Sequence, residues 1–285
     1  MKKITIMISI LMTCLLLLHS VSAEASPISS CTIIDSSGEY QLTKNLVSSS
    51  TICIDIKADN VILDCQNYAI KGIHIYGSSG IQIKRSSPTN TTIEIKNCII
   101  RESYYGIYLK NANNNTLDYN TIIGNIEGIK ISSSSNNRVL NNNISANILG
   151  GVWLEQNSNN NIFFSNTLES NKGYGMWLFF TSKNNLIYNN FFNNLKNAFD
   201  QDSNFWNTTN HTGTNIIGGS NIGGNYFSDY TGTDNNGDGF GESPYYISFG
   251  SNKDNLPLAI PEVPTIFLSI GVMFLSLLRM KRASK

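Results

Sequence analysis

Histidine is scarce in this sequence, and closely paired cysteines are missing. The 285 residues include three histidines and no Cys-x-x-Cys pair, so a metal site of imidazoles or clustered thiolates has little to draw on. An excess of positive charge is also lacking, since 20 Lys and Arg balance 20 Asp and Glu. Six of the basic residues lie in the two end segments, residues 1–23 and 263–285, which hold no acid. The stretch between carries 14 basic and 20 acidic side chains, a net charge of about −6. Such a surface repels phosphate backbones and excludes nucleic acid as a partner. Neither the L-x-x-L-x-L-x-x-N signature of a leucine-rich repeat nor helical segments occur.

The ends are apolar. Lys2 and Lys3, the run from Ile4 to Leu18, and Val21-Ser22-Ala23 make the basic, apolar and small-residue regions of a secretory signal over residues 1–23. Its apolar run is shorter than the ~20 residues of a membrane span. At the other end, Pro261-Glu262-Val263-Pro264 precedes a charge-free run from Ile266 to Leu278, followed by Arg279, Lys281, Arg282 and Lys285. Basic residues stay on the cytoplasmic side, which predicts membrane contact through this segment and the bulk of the chain outside. This tail, residues 259–285, resembles the PEF-CTERM tail of archaeal surface proteins, with Val263 where that family has Phe. The resemblance implies processing by an archaeosortase-type enzyme and display on the extracellular face of the envelope.

Four cysteines follow the signal: Cys31, Cys53, Cys65 and Cys98. An even count in an exported chain points to disulfides, and four cysteines allow three connectivities. Cys31–Cys53 is the favoured pair, leaving Cys65–Cys98; a zinc site is the alternative, with only His74 nearby.

Internal repetition is the strongest signal. The unit Gly-Ile-x-Ile/Leu-x begins at Gly80, Gly106, Gly128, Gly151 and Gly175, and in degenerate form at Ala198, in steps of 26, 22, 23, 24 and 23 residues. A column of Asn97, Asn120, Asn142, Asn166 and Asn190 runs in phase. Apolar residues at i and i+2 within so short a period suit three short strands per repeat, each burying alternate side chains. One coil cannot bury its own apolar face, so coils must stack at about 4.8 Å. The predicted fold is all-β: a right-handed parallel β-helix over residues 61–215. An N-terminal cap (residues 24–60) precedes it and a closing segment (residues 216–258) follows. Ile107, Ile129, Val152, Met176 and Phe199 are expected to share one buried file, and the asparagines to form an amide ladder at a turn.

The Asn-rich repeats, with Asn60-Val61-Ile62-Leu63-Asp64-Cys65 as an opening rung and Gly223-Gly224-Asn225-Tyr226-Phe227-Ser228-Asp229-Tyr230 in the closing segment, resemble the NosD-like β-helix proteins of the pectate-lyase-like superfamily. The resemblance implies the fold. It implies no one chemistry, because that superfamily holds lyases, hydrolases, epimerases, binding modules and adhesins. NosD serves assembly of a copper enzyme, yet the exported part offers only His74, His211, Met176 and the cysteines as soft or imidazole ligands.

The outward positions of the Gly-Ile strand bring Tyr108, Trp153, Trp177 and Phe179 together, with Glu155, Asp200 and Asp202 beside them. Clustered outward aromatics mark a contact site, and flat rings flanked by carboxylates suit the apolar faces and hydroxyl rims of sugars. Glycans or envelope components are the expected partners. Catalysis is the lesser reading: Glu155, Asp200 and Asp202 are its only candidates, and the acidic triplet of the polygalacturonases is absent. Asp234-Asn235-Asn236-Gly237-Asp238-Gly239 starts like a calcium loop, with Asp234, Asn236, Asp238 and Glu242 as oxygen ligands for a structural ion. Tyr245 stands where an EF-hand has its bidentate Glu.

Overall fold

The computed structural model describes residues 24–260. The signal-like residues 1–23 and the tail from Pro261 lie outside the described residues. The described chain is a right-handed parallel β-helix of about seven turns with three strands per coil and no α-helix. Three eight-stranded parallel sheets run its length. The first extends from Ser26–Ile28 to Leu186–Tyr188, and the second from Leu46–Val47 to Tyr226–Phe227. The third holds Thr32–Ile34, Ile52–Ile56, Ser79–Asn90, Tyr105–Asn113, Glu127–Ser132, Gly150–Glu155, Tyr174–Leu178 and Lys196–Asp200. Strands before Val61 therefore belong to the same three sheets as those after it.

Like stacks on like because each strand pairs with its equivalent one coil along. Ile54, Ile81, Ile107, Ile129, Val152 and Met176 are in register and buried. Phe199 does not continue that file. Met176 pairs with Ala198 and Trp177 with Phe199, so Phe199 faces outward and Asp200 turns inward. The cause lies one residue earlier. Glycines 80, 106, 128, 151 and 175 pass so close to the next coil's carbonyl that an added Cβ would come within 3.0 Å of it. In the last coil Asn197 supplies that next carbonyl and is itself buried, which moves the phase by one.

Each turn carries a buried polar ladder. Asn115, Asn137, Asn161, Asn185 and Asn204 form one; Asn120, Asn142, Asn166, Asn190 and Asn225 a second; Asn125, Asn147, Asn171 and Asn194 a third. In every rung the backbone N–H and the Nδ2 of one asparagine donate to the Oδ1 of the next, at 2.9–3.0 Å for the second ladder's backbone bonds. This satisfies turn amides that stacking removes from water. Asn97 is outside the second ladder. It is a left-handed residue (φ 54°) whose amide donates to Asp64, and Cys98 takes the ladder position, its N–H donating to Asn120. The residues before the ladder asparagines, such as Tyr119, Asn141, Ser165 and Asn189, share that left-handed backbone.

Candidate functional site

The outward face of the third sheet brings aromatic, basic and acidic side chains into register. Its strands alternate after each repeat glycine. The glycine's own Cβ direction points inward, at Gly106 and Gly128 onto buried Ile and Asn side chains, so the residue before it also faces outward and three outward files run along the axis. The first holds Tyr105, Glu127, Gly150, Tyr174 and Lys196, and the second Tyr108, Lys130, Trp153, Trp177 and Phe199. The third carries Lys84, Lys110, Ser132 and Glu155, with Phe179 following on the next coil. Trp153 and Trp177 sit 4.9 Å apart by ring centroid, Phe179 is 5.7 and 5.3 Å from them, and Phe199 is 5.4 Å from Trp177. The rings are half-buried against one another rather than fully open to solvent. The Nε1 of Trp177 is buried and has no acceptor. Tyr76, Tyr104, Tyr105 and Tyr108 continue the band toward the N-terminus in edge and tilted contacts of 4.8–5.0 Å.

Between the tyrosines and the tryptophans lies an ionic cluster. Lys130 Nζ is 3.6 Å from Glu127 Oε2 and 3.2 Å from Glu155 Oε2, and it stands over the rings of Trp153 (4.7 Å) and Tyr105 (5.6 Å). Glu127 is buried, and its Oε2 accepts no hydrogen bond. Burial pushes its carboxyl up to about 7, against the opposite pull of Lys130. Glu127 is not among the positions after the repeat glycine, where the sequence points to outward residues. The residue immediately before the glycine, Tyr105, Glu127 or Tyr174, also faces outward, and that column was open to inspection.

Of the residues expected on this face, Tyr108, Trp153, Trp177, Phe179 and Glu155 are on it. Asp200 is not. It is fully buried and points into the coil, where Oδ1 accepts from Asn204 Nδ2 (2.8 Å) and Asp202 N (3.0 Å) and Oδ2 from Trp206 Nε1 (2.8 Å). Asp202 lies past the strand end, where its Oδ2 accepts from Ser182 N. Glu155 therefore pairs with Lys130 and with neither aspartate. A two-carboxylate hydrolytic arrangement needs open space between the groups; here the lysine head lies between Glu127 and Glu155.

Elsewhere, Cys31 is bonded to Cys53 and Cys65 to Cys98. In the Asp234 loop the carboxylate of Asp234 accepts from the N–H groups of Gly237, Asp238 and Gly239. Asn236 Oδ1 accepts from Asp238 N, and Asp238 Oδ1 from Phe240 N. Glu242 is exposed.

A family model described as periplasmic copper-binding protein (NosD) matches residues 20–232. The chain belongs to the NosD family. No curated protein matches it. Among solved structures it is similar to the periplasmic alginate epimerase AlgG, with a TM-score of 0.49 and 16% identity over 59% of this chain and 39% of that one. It is also similar to the Dettilon tailspike protein gp208, with a TM-score of 0.45 and 14% identity over 61% and 44% of the two chains. A third is tailspike protein 2 of the Escherichia coli O157:H7 bacteriophage CAB120, with a TM-score of 0.35 and 11% identity over 61% and 35%. The chain spans about two fifths of the length of the epimerase.

Copper, which the family description implies, finds no fitting ligand set among the described residues of this NosD-family chain. His74 Nε2 is hydrogen-bonded to Gly124 O and His211 Nδ1 to Thr209 O, far apart along the chain. Met176 is in the core and the cysteines are in disulfides. No group of three or more His, Cys, Asp or Glu side chains converges among the described residues. Soft cuprous or imidazole-bound cupric coordination has no such constellation to use here.

Proposed function

We propose that this NosD-family chain is an exported protein of the cell envelope that contacts glycans through the outward aromatic face of its third sheet. The observation that carries the reading is the file of Trp153, Trp177 and Phe199 on consecutive coils, flanked by Phe179, Tyr174 and Glu155. Rings in a row, each partly open to solvent, offer stacking area to the C–H faces of sugars. The neighbouring carboxylate accepts from hydroxyl groups. Export is supported by the family's periplasmic description and by two disulfides, which persist in oxidising compartments. Anchoring through the C-terminal tail belongs to the same proposal. Binding is favoured over cleavage because Lys130 fills the gap between the two carboxylates.

The test is a binding isotherm of the full chain on glycans chosen from a carbohydrate array, with a melting curve for each variant. Trp153→Ala and Trp177→Ala should each weaken binding by about 1–3 kcal/mol. Unchanged binding in both variants, or no glycan retained by the wild-type chain, overturns the proposal.

A further inference from the structure

Two phenylalanines beside this face are placed against both solvent and backbone preference. Phe180 and Phe249 are 62% and 64% exposed. Both adopt left-handed backbone, with φ of 50° and 64°. That region favours Gly, Asn and Asp, and a bulky residue there is strained. The strain is not a general demand of the fold. In the turn column that holds Phe180, the equivalent left-handed residues of the three preceding coils are Asn111, Ser133 and Gln156, at φ 53°, 49° and 58°. Only the coil beside the tryptophans places an aromatic ring there.

Both rings join the face. Phe180 lies 4.5 Å from Phe179, which touches Trp153 and Trp177. Phe249 comes from the closing segment and stacks on Phe199 at 5.0 Å and 22°. The backbone delivers it: Ser248 bridges to Phe199 and its carbonyl accepts from Asp200 N. Gly250 follows with φ 117° and passes beside the Asp200 carbonyl. Strained residues with exposed apolar side chains persist where something beyond folding selects them.

We infer that Phe180 and Phe249 are ligand-contacting residues, a side wall and an end wall of a path for an extended neutral oligosaccharide running along the solenoid axis over Trp153, Trp177 and Phe199. This rests on the glycan reading above and adds its direction, length and charge class. The direction follows from the file, whose rings succeed one another at the coil spacing, about 4.8 Å. Three coils span more than one sugar ring, so the ligand is an oligomer. The charge class follows from the cluster at the Trp153 end: Lys130 is already paired to Glu127 and Glu155, so an anionic sugar there would meet carboxylates, and the exposed Lys196 lies two coils away beside Phe199. A wholly apolar protein partner fits less well, because covering the rings would also cover Glu155 and Lys196, which need polar neighbours.

The experiment compares full-length wild type with Phe180→Asn and Phe249→Asn. Asparagine suits the left-handed backbone, so each variant should keep its fold and melt at the same temperature or about 2–4 °C higher. Binding of neutral cello-, manno- and malto-oligosaccharides of two to six units should fall about threefold to tenfold for the best ligand. Wild-type affinity should rise with chain length. A lower melting temperature with unchanged binding means that the rings are structural and overturns the inference. Binding lost in Trp153→Ala but kept in both Phe variants overturns the inference and leaves the glycan reading standing. Binding by no neutral oligosaccharide, or preference for acidic ones, overturns it as well. So does concentration-dependent self-association that the Phe variants abolish, since a second copy would then be the occupant.

Discussion

The two ends of the solenoid are closed by different chemistry. Toward the N-terminus, disulfides join neighbouring coils, with Cα separations of 4.5 Å for Cys31–Cys53 and 4.7 Å for Cys65–Cys98. From Asn115, Asn120 and Asn125 onward the same rung-to-rung duty passes to amides, and Cys98 marks the change by donating its N–H to Asn120. All three ladders donate toward the C-terminus, and each ends on a carboxylate. Asn204 donates to Asp200, Asn225 to Asp254 with both N and Nδ2, and Asn194 through Asn197 to Asp229. A chain of aligned amide dipoles presents its positive end to those acids, as a helix N-terminus does to an anion. One end is covalent and redox-sensitive; the other is polar and titratable.

Reduction should have the largest effect on the first end. Each bridge closes a separation of 22 or 33 residues, worth about 3–4 kcal/mol in the chain-entropy account. Denaturant melts with and without reductant should differ by several kcal/mol, and hydrogen exchange should show loosening of the coils before Asn115 first. Equal melts, or loosening that starts in the closing segment, would break the division between the ends.

Asp254→Ala attacks the other end. Its carboxylate accepts from the backbone N–H groups of Asn225 and Leu256, and unpartnered buried donors lose about 1–3 kcal/mol each. The variant should lose about 2–6 kcal/mol, with exchange rising first around residues 216–258. The wild type should show a related pH trend. Burial pushes Asp254 and Glu127 up to about 7 each, above their unfolded values, and raises Asp200 too. The folded chain thus holds protons that the unfolded chain has released. The stability these groups contribute is present in full below about pH 4 and is lost as pH rises through about 7. Denaturant melts from pH 4.5 to 8 measure this, and Glu127→Gln should flatten part of the slope. A rise in stability across that range would contradict the assignment.

The fold was legible in the sequence because stacking repeats a residue's role at one period, so the Gly-Ile unit and the second ladder stand out. Failures occurred where the period changes. Asn197 takes the glycine position in the last coil and carries the third ladder toward Asp229, and this hid the inward turn of Asp200 and the outward turn of Phe199. The other two ladders were lost in an asparagine-rich background, since composition alone cannot tell a ladder position from a left-handed one. Of the candidate site, the residues after each glycine were readable. Glu127 before its glycine, and Phe249 arriving from the closing segment, needed three dimensions.

The smallest expected effect separates the two kinds of asparagine. Asn142 is a rung whose Oδ1 accepts the N–H and Nδ2 of Asn120 and whose own amide donates to Asn166 and to the carbonyls of Leu117 and Leu140. Asn97 has the left-handed backbone and one side-chain bond, to Asp64. Asn142→Gly should therefore be severe, because the buried N–H and Nδ2 of Asn120 lose their acceptor while Asn166 Oδ1 and the carbonyls of Leu117 and Leu140 lose a donor. Asn97→Gly keeps the φ that its position demands and forfeits one half-exposed hydrogen bond, about 0.5–1.5 kcal/mol, partly offset by the ease with which glycine takes positive φ. Paired denaturant melts give the ratio directly. Similar losses in the two variants would mean that asparagine acts here through turn geometry alone, and that the amide ladders add little to holding the coils together.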